Sequence, residues 1–392
     1  MQNNKLFSSC NIYIFLWIVY SLQSIIFGAY GTIYSKLILA FLLTVSVYYM
    51  FYAYVNYKLP IYFKGLVLMI IMFTVYGLLL ILSPTRAGRA SNYVYLQYIY
   101  NSLLPIFPFY VFTRKGWLNK TNLLWWIIIL FVVVTIQYFQ HQREYLQMLA
   151  EEGREREEFT NNFGYEFLSM IPLLAFFSKK KIIQYFGLGY VMVFVIFSMK
   201  RGAMLIAVVC IMWFVYCSMK NARNNKKIIV IVLSIVVIYV GYYYVQSLME
   251  NSDYFNQRLQ STLEGDTSGR EVVYANLLQH FLGESSPLRF LFGNGANATL
   301  RIVHMHAHND WLELAINQGL LGIIVYVLYW LGFYKTYRKS KFDDEIVLAV
   351  SLLLISCLIR SFFSMSYGDM SRCTTLCIGY CMGMISEHEK KS

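Results

Sequence analysis

The sequence predicts an all-α polytopic membrane protein, and three observations carry that expectation. Hydrophobic residues fill 58% of 392 positions and charged residues only 14%, where a soluble domain carries about 25% charge. The mean hydropathy is +0.50. Apolar runs near the roughly 20 residues that a helix needs to cross a bilayer recur from end to end.

Twelve spans are expected, at about 10 to 28, 33 to 55, 62 to 83, 94 to 113, 122 to 140, 163 to 178, 182 to 199, 202 to 219, 228 to 247, 311 to 334, 345 to 366 and 371 to 387. The first run, Ile12 to Phe27, has no small-x-small cleavage site and is followed at once by further apolar runs, so it reads as a retained span. Residues 1–392 thus read as one integral membrane domain, with a long external loop at 248–310 inside it. With the N-terminus inside, the alternate turns collect Lys58 and Lys64, Arg114 to Lys120, Lys179 to Lys181, Lys220 to Lys227, Lys335 to Lys341, and Lys390 and Lys391. This is the positive-inside pattern and puts both termini in the cytoplasm. None of the seven cysteines falls in the long loop, so no disulfide framework is expected. Cys373, Cys377 and Cys381 are spaced to line one helix face and read as packing residues.

The same orientation separates the cations by type. Outside they are nearly all arginine: Arg86, Arg89, Arg143, Arg154, Arg156, Arg201, Arg258, Arg270, Arg289, Arg301, Arg360 and Arg372, accompanied by Lys36 and Lys200. Arginine offers a planar fork that grips phosphate or carboxylate, although most of these positions are also explained by lipid headgroups. Arg201 differs, because the tight turn SMKRGAML places a Lys-Arg pair against the orientation rule.

Two external loops exceed turn length. In the first, His141 to Asn162, Glu152 and Arg156 are one helical turn apart, as in a solvated helix. The second, residues 248–310, is long enough to be functional. Its segment Arg270 to Leu282 sets Val273, Leu277, Leu278 and Phe281 on one apolar face, and Gly293 with Gly295 marks a turn where backbone can approach something closely. The loop ends in RIVHMHAHNDWLELAINQGLLG, where His304, His306 and His308 precede an apolar run opened by Trp311. Asp310 and Glu313 have capping-box spacing, which explains those two acids but not three alternating histidines. A helix N-terminus beside imidazoles also suits a bound phosphate.

These residues resemble the bacterial O-antigen ligase and O-antigen polymerase (Wzy-like) superfamily of membrane glycosyltransferases. The resemblance lies in the twelve spans, the long loop between the ninth and tenth, and an H-N-x-x-L-E-x-x-x-x-x-G-x-x-G signature formed by His308, Asn309, Leu312, Glu313, Gly319 and Gly322. An arginine after the seventh span (Arg201) and one opening a loop helix (Arg270) complete it. It implies glycan transfer from a polyprenyl-diphosphate carrier to a sugar hydroxyl, at the periplasmic face of the bacterial inner membrane, with no cofactor and no metal. The partners it implies are a lipid-linked oligosaccharide donor, a lipid-linked glycan acceptor, membrane lipid and other polysaccharide assembly proteins, with no nucleic acid.

Within that resemblance the residue roles follow from chemistry. Arg201 and Arg270 would neutralise the departing diphosphate. His308 would take the proton of the attacking hydroxyl, an imidazole's ordinary pKa near 6.5 suiting that task. His306 is its substitute, since alternate residues of an extended segment share a face, and Asn309 and Glu313 support the site. The loop's seven acids against four arginines favour a repeat-unit polymerase over a ligase, whose acceptor core is rich in phosphate. Three other readings stand beside this one: a transition-metal site at His304, His306, His308 and Asp310; a lipid-linked sugar transporter; and a glycosyltransferase with a catalytic acid in the first external loop, although GAYGTIYS holds no acid.

Overall fold

The computed structural model describes residues 9–82, 92–151, 160–220, 224–263, 269–339, 344–367 and 371–391. Arg86, Arg89, Glu152, Arg154 and Arg156 lie outside them. In chain order the helices are α1 (Ser9–Ser21), α2 (Gln23–Phe27), α3 (Ile33–Asn56), α4 (Ile61–Leu82), α5 (Asn92–Leu103), α6 (Ile106–Arg114), α7 (Lys120–Glu151), α8 (Phe163–Leu168), α9 (Lys181–Phe197), α10 (Arg201–Lys220), α11 (Asn224–Asn251), α12 (Asp253–Leu263), α13 (Arg270–Leu282), α14 (Pro287–Phe292), α15 (Ala298–Ile302), α16 (Asp310–Lys339), α17 (Asp344–Phe363) and α18 (Arg372–Lys391). A 3-10 segment, Pro172–Phe177, follows α8, and no strand occurs among the described residues.

Where twelve spans were expected, seven described helices are long and apolar enough to cross a membrane: α3, α4, α7, α10, α11, α16 and α17. The other expected spans are shorter, interrupted or more polar. The stretch 94–113 is two helices, α5 and α6, parted at Pro105, whose ring removes a backbone donor and crowds the preceding turn. Residues 163–178 divide into α8 and the 3-10 segment that Pro172 begins. The first run breaks near Leu22 and its second piece stops at Gly28, in the left-handed conformation.

Close helix packing depends on glycine, as is usual where apolar lipid gives no drive for association. α4 and α16 run antiparallel. A methyl on Gly65 would stand 2.7 Å from the Tyr329 backbone, one on Gly332 would stand 3.2 Å from that of Tyr62, and the Tyr62 and Tyr329 hydroxyls are 3.1 Å apart. On α18, Gly379 and Gly383 face α6 at Ile106, Phe109, Tyr110 and Thr113. Cys373, Cys377 and Cys381 are free thiols, fully buried in the bundle, as their spacing suggested.

The two ends of the bundle differ in chemistry. At one end Lys120 pairs with Glu345 at 2.5 Å, where α7 and α17 begin, and Ser178 also donates to Glu345. At the other, α12 to α15 lie between α11 and α16. There Leu277 of α13 packs with Ala298, Ala307 and Ile316, flanked by Val273 and Phe281. Leu278, expected on that face, is exposed because it sits a further 100° around the helix.

Candidate functional site

The site is built where α16 starts. Asn309, not Asp310, caps the helix: its Oδ1 accepts from Trp311 N at 3.0 Å and Leu312 N at 3.1 Å. The expected capping box is therefore not formed, and both acids turn inward. Asp310 is fully buried and accepts from Tyr326 OH at 2.6 Å, Ser366 N at 2.7 Å and the Ser366 hydroxyl. Glu313, also fully buried, ties three segments together: it accepts from Ala307 N at 2.6 Å, Thr299 Oγ1 at 2.7 Å and Asn317 Nδ2 at 3.1 Å. His306 Nδ1 stands 3.3 Å from the same carboxylate, an ion pair when the ring is protonated, though its geometry is not that of a hydrogen bond.

A second set of contacts anchors the loop to a break in α16. Gly319 has φ 66 and ψ −157, outside the helical region. Gly293, with φ 72 and ψ −170, lies against it. Only glycine adopts this conformation readily. The carbonyls of Ile316 and Asn317 that the break frees accept from Asn294 N at 2.9 Å and Gly295 N at 3.0 Å, and Tyr76 OH donates to Phe292 O. Irregular backbone beside a membrane is tolerated when its polar groups are satisfied in this way. The Gly293 turn does bring backbone close to a partner, as its sequence suggested, and the partner is the helix that carries the signature.

The histidine segment is not extended. His304 has φ 58 and His308 φ 52, left-handed turns that histidine enters more readily than most residues. The shared face expected for His306 and His308 is consequently lost: His306 turns to Glu313, while His308 lies within the field of Arg270 and Lys200. Tyr274 OH lies 3.5 Å from His308 O, at the limit of a hydrogen bond. Arg270 Nη1 donates to Phe363 O at 3.2 Å, and Asn309 Nδ2 to Phe362 O at 3.3 Å. Gly202, next to Arg201, packs close under the Tyr165 hydroxyl and near Phe363. The start of α10, the start of α13, the end of α17 and the histidine segment thus meet.

Although the His308 side chain is exposed, partial loss of hydration, and then the positive charges of Arg270, Lys200 and His306, lower its pKa from 6.5 to about 4, with Glu313 opposing. At neutral pH His308 is an uncharged imidazole among cations. Since the depressed value favours the neutral form, titration of the His308 ring should centre near pH 4 instead of 6.5. Replacing Lys200 with Gln removes one repelling charge and should move that midpoint upward, as read by NMR of the ring. A midpoint left in place would detach Lys200 from His308.

Of the residues singled out in the sequence, the structure gathers His308, Arg270 and Asn309, sets His306 on Glu313, and starts α10 with Arg201. Lys200, which in the sequence is only the companion of Arg201, adds its charge to that of Arg270 at His308. Arg360 was also passed over. It is 9% exposed, its guanidinium lies 4.8 Å from the Tyr165 ring centre, and its charge acts on Asp310. An arginine inside the apolar run LLLISCLIRSFF is a charge within an expected span, and that signal would have found it. Nothing in the sequence marks Tyr165 or Ser366. No three His, Cys, Asp or Glu side chains among the described residues come together as ion ligands, so His304, His306, His308 and Asp310 do not form the metal cluster that their spacing allowed.

Residues 186–327 match the Wzy_C family model, described as O-antigen ligase. The match begins within α9 and ends within α16, so it takes in Lys200, Arg201, Arg270 and the whole histidine segment and stops short of Arg360. Among curated proteins no match of significance was found.

Proposed function

From an O-antigen ligase-type domain that spans the residues gathered at this site, we propose that the protein transfers a glycan from a polyprenyl-diphosphate carrier to a sugar hydroxyl. The observation that carries the reading is the convergence of the His308–Asn309 turn and Arg270 on the end of α17, through Asn309 to Phe362 O and Arg270 to Phe363 O, where nearby cations favour a neutral imidazole. His308 accepts the proton of the attacking hydroxyl as its oxygen bonds to the anomeric carbon. The bond from that carbon to the diphosphate oxygen breaks, and the electron pair leaves with the polyprenyl diphosphate. Arg270, Arg201 and Lys200 offset the charge that develops there, the task a divalent cation performs in other glycosyl transfers. Asn309 and Glu313 position His308, one by capping α16 and the other by holding Ala307 and Thr299. The site then faces the periplasm, with the lysine-rich end of the bundle and both termini in the cytoplasm.

We take the acceptor to be a second lipid-linked repeat unit. Leaving out the buried Asp310, the loop's acids, Glu250, Asp253, Glu264, Asp266, Glu271 and Glu284, still outnumber Arg258, Arg270, Arg289 and Arg301, and a net acidic loop repels a phosphate-rich core. The matched family's description as O-antigen ligase favours the second reading, a ligase acting on such a core. Purified protein given only a lipid-linked repeat unit should form a ladder of longer lipid-linked products on a gel. Product that forms only when lipopolysaccharide core is added identifies a ligase. Passage of the intact donor across a vesicle membrane without new linkage would identify a transporter.

A further inference from the structure

A second cationic feature stands apart from His308. His280 at the end of α13, Arg289 in α14 and Arg301 in α15, with Gly293 and Asn294, line an open cavity of about 360 Å³. Among the described residues no carboxylate lines it. Its size lies within the roughly 300–1,000 Å³ of small-molecule sites. Its walls are fixed: Arg301 Nη2 donates to Asn294 O at 2.6 Å, and Asn294 and Gly295 are hydrogen-bonded to the broken turn of α16. Two guanidiniums with an imidazole, in a loop otherwise weighted towards acids, form a local exception to the loop's charge. Arginine forks suit a planar or tetrahedral oxyanion, for which lysine would be a poorer substitute.

We propose that this cavity is a binding subsite for an oxyanion carried by the glycan, a carboxylate or phosphate substituent on a sugar removed from the reacting hydroxyl. His280 and Arg270 are ten residues apart on one helix, so the cavity lies roughly 15 Å along α13 from the start of that helix. This separation puts the cavity beyond the sugar whose bond is made, where it would select acidic glycans and hold their register. The identity of the ligand as a glycan rests on the transfer reading; the oxyanion chemistry does not.

The test is a binding measurement that needs no turnover. Full-length protein in phosphatidylcholine nanodiscs is titrated with a glucuronate-containing disaccharide and with its carboxyl-reduced counterpart. The acidic sugar should bind at least tenfold more tightly, and inorganic phosphate should compete with it. Arg289→Gln with Arg301→Gln should bring the two sugars to parity, and Arg289→Lys with Arg301→Lys should retain part of the preference in an equally soluble protein. His308→Ala should keep the full preference, so a failure of the catalytic reading leaves this result intact. Equal binding by the unaltered protein, or a preference that survives the double glutamine change, overturns the proposal. Loss of the preference in nanodiscs containing phosphatidylglycerol also overturns it, by showing that a lipid headgroup is the occupant.

Discussion

Replacing His308 with alanine should lower glycan transfer by roughly 10²- to 10⁴-fold, the usual contribution of a positioned general base, while the protein still folds and inserts. The side chain is exposed and makes no buried hydrogen bond, so its loss leaves the α16 head intact. His306→Ala should cost much less, because that ring is committed to the Glu313 carboxylate 3.3 Å away. Arg270→Lys should also be impaired despite keeping its charge, since an ammonium cannot make two parallel bonds to a diphosphate. The measurement is product formed from a defined lipid-linked donor by purified variants. A reversal, with His306→Ala inactive and His308→Ala active, would move the base to His306.

Gly319→Ala should be the most damaging single substitution for folding, costing roughly 3–6 kcal/mol. Two costs add. The residue has φ 66 with ψ −157, and its new methyl would stand 2.5 Å from Gly293 N and 2.7 Å from the Leu291 carbonyl. Both neighbours are backbone, pinned by the bonds from Asn294 and Gly295, and cannot yield. Gly293→Ala meets the same fault from the other side, with its methyl 2.5 Å from Gly319 N. Gly189, in α9 with nothing within 4 Å of the added carbon, is the control and should accept alanine without loss. Thermal unfolding in detergent separates the three; a Gly319→Ala protein as stable as the Gly189 variant would mean that the junction is not built as described.

Much of this protein was determined by the sequence alone. Hydropathy and length fix an α-helical membrane bundle, because lipid offers backbone groups no other partner and crossing it takes about twenty apolar residues. His308, Arg270 and Arg201 could each be singled out by a linear reading, from a family-like signature, the start of an amphipathic segment and a charged tight turn. The limit comes where residues far apart in the chain meet. Pro105 and Pro172 interrupt runs that hydropathy counts as continuous. Left-handed turns at His304 and His308 undo an alternation that only an extended backbone would keep.

Tertiary structure alone decided what the polar residues do. Glu313 looked like half of a capping box, yet it gathers Thr299, Ala307 and Asn317, because a buried carboxylate has to find several donors wherever the fold presents them. Arg360 looked like a headgroup anchor and proves to be buried against Tyr165. Lys200 and His308, 108 positions apart in the chain, come within reach of each other's charge only in the folded bundle. Gly293 and Gly319, twenty-six positions apart, each carry the ordinary signature of a turn or a helix glycine. Only their contact shows why neither can bear a side chain, since backbone-to-backbone approach depends on three-dimensional position and leaves no periodic trace in the sequence.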